Sequence, residues 1–179
     1  MNMKPLSESK AHAKLEAIRA EFRDQIRENY EHRAKSCVTC ETPGACCLDE
    51  HFVNVRITRL EAVAVEGRLD KLAPEQKKRV FSRINETISR YKLEGCPAPE
   101  LKTYACPLFE KGIGCLVHHT AKPLPCIAHA CYERKEDLPS DDLLAERETK
   151  IEKLNRRVYG KVTSLPIPLA VRNAEAHTK

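Results

Sequence analysis

The placement of the cysteines limits the fold of this chain more than any other feature. Nine thiols are confined to two irregular stretches, with amphipathic helical patterns before, between and after them. The first stretch is Cys37-Val38-Thr39-Cys40-Glu41-Thr42-Pro43-Gly44-Ala45-Cys46-Cys47, four thiols with two of them adjacent. The second runs from Cys96 to Cys131 and holds five Cys, five Pro, two Gly and three His. Segments this rich in Pro and Gly, without apolar periodicity, cannot build a core by themselves. Some other agent has to order them.

No apolar stretch resembles a signal peptide, and none approaches the ~18 residues that a membrane span requires. The reading is therefore a soluble cytoplasmic protein, where disulfides are rare. An odd number of cysteines points the same way, since full pairing would strand one. Metal or iron–sulfur coordination is the expected role of the sulfur, ahead of redox-active thiols or disulfides.

A chain of 179 residues fits one folded body and buries roughly 70% of the surface its unfolded form exposes. Aromatics are only 5%, Trp is absent and charged residues reach 32%, so the core must rest on Leu, Ile, Val and Ala. Three regions follow: a long N-terminal helix over 1–36, a cysteine-cluster metal-binding domain over 37–131, and a C-terminal helix with an extended tail over 132–179.

Ala11, Leu15, Ile18, Phe22, Ile26 and Tyr30 recur at steps of three and four, which predicts one helix over 8–35 with Ser7 or Ser9 at its start. A helix of ~28 residues would reach about 42 Å, far enough to overhang and pair with another copy. Phe52 to Ile57 alternates like a strand. Thr58-Arg59-Leu60-Glu61 is a capping box opening a short helix through Glu66 that Gly67 stops. Pro74 starts another, through Glu94. Phe109 to Val117 reads as a hairpin turning at Lys111-Gly112, and Ser140 caps a helix through Tyr159. The tail from Val162 to Val171 reads as extended because of Pro166 and Pro168, with frayed residues after it. The fold class is mainly α with a small irregular or β element, the helices surrounding a cysteine-rich metal-binding core.

The spacing of the first motif is C-x2-C-x5-C-C, and a C-x2-C turn lets two sulfurs reach one zinc or cluster iron. The second is Cys106-x8-Cys115-x10-Cys126-x4-Cys131. Neither matches a zinc finger ending in histidines or the ferredoxin run, so spacing says metal without naming it. In an extended segment Cys46 and Cys47 would point opposite ways. They would then serve different centres, or one would bind while the other packs; only a distorted turn would bring both to one ion.

These motifs, with Gly44-Ala45-Cys46-Cys47, Cys106-Pro107-Leu108, Cys115-Leu116-Val117 and Lys122-Pro123-x2-Cys126, resemble the CxxCxxCC (YkgJ-like) cysteine-cluster family, described as zinc- or iron-chelating. The resemblance covers about residues 37–131. It implies bound iron, as an iron–sulfur cluster, or zinc, with ligands from Cys37, Cys40, Cys46, Cys47, Cys106, Cys115 and Cys126. Flagellin lysine N-methylases share a similar motif, so such a module can accompany an enzyme. This chain departs from the family pattern in having Glu41-Thr42-Pro43 before Gly44, His118 near the family Tyr, one more residue before Lys122, and Lys122 in place of Arg.

Adding Cys131 gives two sets of four in sequence order, Cys37/Cys40/Cys46/Cys47 and Cys106/Cys115/Cys126/Cys131. A site interleaving both stretches is an equal alternative, with Cys96 the expected non-ligand. His118, His119 and His129 read as surface or supporting histidines, and His129 is the one best placed to replace a thiolate. Gly44 and Ala45 are small enough to let backbone N–H groups approach cluster sulfides.

No P-loop, G-x-G-x-x-G or G-x-S-x-G motif is present, and no carboxylate pair calls for acid–base chemistry. A net charge of +5 with interleaved signs and few aromatics argues against nucleic acid. The expected function is an iron–sulfur protein in electron transfer, redox sensing or an accessory role, working with a redox or other protein partner. The alternative is a zinc-stabilised protein-binding module.

Overall fold

The computed structural model describes residues 4–36, 40–51, 53–96, 98 and 101–178. Its helices are α1 (Glu8–Asn29), α2 (Ala45–Leu48), α3 (Arg59–Leu69), α4 (Pro74–Arg90), α5 (Leu124–Ala128), α6 (Asp141–Tyr159) and α7 (Ile167–Thr178). Six two-residue strands accompany them: β1 (Ala34–Lys35), β2 (Arg56–Ile57), β3 (Phe109–Glu110), β4 (Gly114–Cys115), β5 (Cys131–Tyr132) and β6 (Leu165–Pro166). They pair antiparallel as β1–β5, β2–β6 and β3–β4. The protein is mainly helical with small antiparallel β elements, as its patterns predict. No described helix is long and apolar enough to cross a membrane.

The chain forms two compact units, and both are discontinuous in sequence. One takes residues 1–43 and 122–162, the other 44–121 and 163–179. The first is called the α1/α6 unit here and the second the α3/α4/α7 unit.

In the α1/α6 unit, α1 packs on α5 and α6. Its stripe is Ala11, Leu15, Arg19, Phe22 and Ile26, all buried; Arg19 takes the place in the row expected of Ile18. The helix is 22 residues, about 33 Å, and not the longer rod that its periodicity suggests. It stops at Tyr30, and Glu31–Arg33 tightens into a 3-10 turn so that Ala34 and Lys35 can pair with Tyr132 and Cys131. Pairing with a strand distant in sequence overrides local helical preference. The apolar stripe is thus covered within its own unit. Ser140 caps α6, its Oγ accepting from the Leu143 N–H, and Ile151 and Leu154 face inward.

The α3/α4/α7 unit holds the larger apolar interior. Val65 and Leu69 of α3, Val80, Ile84 and Ile88 of α4, and Ile167, Val171 and Ala174 of α7 belong to one buried cluster. The capping box is formed: Thr58 Oγ1 accepts from the Glu61 N–H at 3.3 Å while the Glu61 carboxylate accepts from the Thr58 N–H at 2.9 Å. Two stops differ from expectation. Helix α3 runs through Gly67 to Leu69, because a residue at Gly67 would meet nothing and needs no special conformation there. Helix α4 ends at Arg90, with Lys92 left-handed at φ +50° and the Leu93 N–H returning to the Ile88 carbonyl at 3.0 Å. That closure satisfies a terminal carbonyl and buries Leu93, a helix stop made without glycine.

The tail is the largest correction. Residues 167–178 are helical, with Pro168 in the first turn, where proline is tolerated because no intrahelical N–H is needed. The Ile167 N–H reaches the Val55 carbonyl at 3.1 Å, and β6 pairs Leu165 with Ile57. Tyr104 is fully buried against this junction, its hydroxyl donating to the Val55 carbonyl at 2.6 Å and accepting from the Ile167 N–H at 3.1 Å. The expected strand over 52–57 is real only at Arg56–Ile57; Phe52 lies outside the described residues.

Candidate metal centre

The boundary between the units falls between Cys40 and Cys46. Cys40, Cys126 and Cys131 belong to the α1/α6 unit, and Cys46, Cys47, Cys96, Cys106 and Cys115 to the α3/α4/α7 unit. Cys37 lies outside the described residues. The eight described cysteines are half-buried thiols with no disulfide among them.

Cys46 and Cys47 sit in α2, a single helical turn entered through Gly44 at φ +81°. The Cys47 and Leu48 N–H groups both return to the Gly44 carbonyl, at 2.9 and 3.0 Å. The extended geometry expected from sequence is therefore absent. Successive side chains on a helix diverge by about 100° rather than 180°. The two thiols are therefore not thrown to opposite sides of the chain.

Main-chain links then bring in two further cysteines. The Cys106 N–H donates to the Cys47 carbonyl at 2.8 Å, so the segment before the hairpin runs alongside α2. The Phe109 N–H returns to the Cys106 carbonyl at 3.3 Å, closing a tight turn. Phe109 in β3 stands opposite Cys115 in β4. The expected hairpin is present, turning through Gly112 at φ +84°.

Gly44 completes the circuit. A Cβ there would lie 1.9 Å from Phe109 Cζ, so the aromatic ring rests directly on the glycine backbone. Only glycine suits this position, for want of space and because of its left-handed φ. Burial raises the Cys47 thiol to about 12, with the charges of Cys106, Cys46 and Cys115 adding to the shift. Four sulfurs from three sequence positions thus share one electrostatic neighbourhood.

Helix α4 holds both sides of this neighbourhood. Near its end, Tyr91 donates to Glu50 Oε2 at 2.7 Å and Arg90 to the same oxygen at 3.2 Å, fixing the segment after α2. Nearer its start, Arg83 Nε donates to the Pro107 carbonyl at 3.1 Å, next to Cys106. Gln76, Arg79 and Arg83 all reach Glu110 in the hairpin. Burial works to raise the Glu110 carboxyl, but the Gln76 and Arg79 hydrogen bonds and the neighbouring guanidinium charges win and hold it below its ordinary value. None of these positioning residues is visible as such in the sequence, where α4 shows only its apolar face. The one trace is Gly44, whose smallness is conspicuous but whose partner Phe109 is not.

In the α1/α6 unit the described thiols lie on separate short elements. Cys126 lies in α5, Cys131 in β5 opposite Lys35, and Cys40 five positions beyond Lys35. Cys40 Sγ is 4.0 Å from Thr42 Oγ1. His129 caps the end of α5 and is exposed. His118 and His119 are exposed after the hairpin, their rings edge to face at 4.9 Å.

Among the described residues, no three His, Cys, Asp or Glu side chains stand at metal-ligand spacing. The donor chemistry nevertheless suits a soft ion. Thiolates select zinc and iron–sulfur clusters over hard cations. Backbone pairing lays the segments that carry Cys46 and Cys47, Cys106 and Cys115 alongside one another. No family model, curated protein or solved structure matches the chain.

Proposed function

We propose that the protein is a metal-binding cysteine-cluster protein, holding an iron–sulfur cluster for electron transfer, redox sensing or service to an enzyme in the reducing cytoplasm. The observation that carries this is the gathering of Cys46, Cys47, Cys106 and Cys115 by main-chain hydrogen bonds from separate parts of the sequence. A cluster bound there would supply one-electron chemistry, with its potential set by burial and nearby N–H groups. The motif resemblance to the CxxCxxCC family points the same way. Its natural partner is a redox protein.

The two-residue strands and sparse regular structure around these cysteines favour a second reading, in which zinc orders the loops and the module binds another protein. One experiment separates the two. Anaerobically purified protein is examined by visible absorption and assayed for iron, sulfide and zinc. Brown protein with matched iron and sulfide supports the cluster. Colourless protein with stoichiometric zinc replaces it with the structural module, and protein without either metal after reconstitution removes both readings.

A further inference from the structure

We infer that docking of α7 on α3 and α4 is proton-linked: a carboxyl cluster of Glu66, Asp70 and Glu175 keeps α7 in place while it retains a proton, and loosens the helix as that proton leaves. The cysteines take no part, so the inference stands apart from the metal-binding reading.

The cluster lies inside the α3/α4/α7 unit, where α7 packs on both α3 and α4. Glu66 is the anomaly. It shares α3 with Val65 and Leu69, both wholly buried, and is itself only 4% exposed. An ionised carboxyl taken out of water is costly unless a cation or several hydrogen bonds compensate it. Each helix of this packing brings a charged group toward Glu66. Asp70 follows one turn later on α3. Glu175 comes from α7, half-buried next to the buried Ala174. Lys77 comes from α4, but its ammonium is committed to Asp70 and lies 5.6 Å from the centre of the Phe81 ring. Arg172 of α7 is held by Glu94 at 2.8 Å.

Three carboxyls thus meet one ammonium, and like charges that close resist ionising together. The proton stays on Glu66 because that carboxyl is the most buried, the Asp70 side chain being 39% exposed. Burial raises Glu66 to about 7, with Asp70 and Glu175 adding to the rise and Lys77 opposing it. Helix α7 is pinned at its first residue, where the Ile167 N–H meets the Val55 carbonyl and the Tyr104 hydroxyl. Its later turns are held by side chains, Val171 and Ala174 in the apolar cluster and Glu175 in the acidic one. Swinging those turns off α3 returns water to Glu66, so its ionised form favours the open arrangement. The docked carboxyl titrates above the open one. Docking is therefore intact below about pH 4.5 and weakens as pH climbs to about 7.

Amide hydrogen exchange of the full chain, read as protection factors corrected for the intrinsic rate at each pH, tests this. The Val171 and Ala174 amides of α7 are expected to be less protected than those of Ile84 and Ile88 in α4 at every pH, the mark of local opening. Their protection should nevertheless fall by about tenfold or more between pH 5 and pH 8. Glu66→Gln has no carboxyl to ionise and should hold α7 protection constant over that range. Glu175→Gln should shrink the fall without abolishing it.

Equal protection in α7 and α4 would mean that α7 leaves only with the whole unit, and would overturn the inference. So would α7 protection that does not change with pH in the wild type, or a fall that persists in Glu66→Gln. Should Glu66→Gln fail to fold, Glu175→Gln decides alone: a fall as large as that of the wild type removes α7 from the cluster and overturns the link.

Discussion

The two units solve the problem of a small core in opposite ways. The α3/α4/α7 unit buries many aliphatic side chains, Leu69, Val80, Ile84 and Val171 wholly, and its buried polar side chains, Thr58, Glu61, Glu66 and Thr87, include no guanidinium. The α1/α6 unit buries guanidinium groups in its interior. Arg19 and Asn155 are fully buried, as are Leu15 and Phe22, and Arg147 is nearly so. Arg147 is held by Glu21 at 2.7 Å and Gln25 at 3.1 Å, and Arg19 by Glu16 at 2.8 Å. Such pairs fix geometry but contribute little net stability once desolvation is counted. A metal in the aliphatic unit would be added to a fold with its own source of stability. Order in the α1/α6 unit depends more on specific polar partners.

The sharpest test of this contrast is to hollow out the aliphatic unit. Ile84→Ala is expected to cost about 3–4 kcal/mol in urea unfolding, from lost transfer energy and the cavity left behind. A loss below about 1 kcal/mol would mean that the cluster around α4 is looser than its burial indicates.

Close behind comes Gly44→Ala, at about 3 kcal/mol: a left-handed residue with a side chain and an overpacked Phe109 ring. Combining it with Phe109→Ala should relieve the ring clash and keep only the backbone part. Failure of the double variant to recover any metal retention relative to Gly44→Ala would show that the ring contact is not what positions α2.

For the polar unit, Arg147→Ala should cost only about 1–2 kcal/mol, because Glu21 is largely exposed and regains water. A loss equal to that of Ile84→Ala would erase the contrast between the units.

The smallest effect is a gain. Burial, followed by the Asp70 hydrogen bond and charge, raises the Glu66 carboxyl from 4.5 to about 7, while Lys77 pulls it down and Glu175 adds to the rise. An acid whose folded pKa is raised leaves stability intact below the unfolded pKa and removes it as pH climbs toward the folded one. Wild-type protein should therefore lose stability between about pH 4.5 and pH 7 through this group. Glu66→Gln should be more stable by about 1–2 kcal/mol at pH 8 and no more stable at pH 4. Equal gains at both pH values would show that ionisation is not the cause.

Legibility in the sequence follows the range of the interactions involved. The start of α4, helix α6 and the β3–β4 hairpin carry their own signals, namely Pro74, Ser140, Gly112 and the apolar faces, and they appear where those signals put them. The end of α1 and the start of α7 do not. Both are decided by pairing with strands far off in the chain, β1 with β5 and β6 with β2, which no local window contains. Residues of the candidate site were visible by type, since thiols in loops announce coordination chemistry. How their segments meet was hidden, because it depends on Phe109 meeting Gly44 and on the Cys106 N–H finding the Cys47 carbonyl. Arg83 and Glu110 looked like ordinary charges on solvated surface.

The discontinuity of the α1/α6 unit has a consequence for how the protein is made. Glu21 and Arg147 are 126 residues apart, and α1 takes most of its cover from α5 and α6. A ribosome adding about 5–20 residues per second would leave the apolar stripe of α1 without that cover for on the order of ten seconds. Through that interval Leu15, Phe22 and Ile26 form an amphipathic segment of the kind chaperones hold, and the nascent chain is most vulnerable along the stripe that is buried once the unit closes.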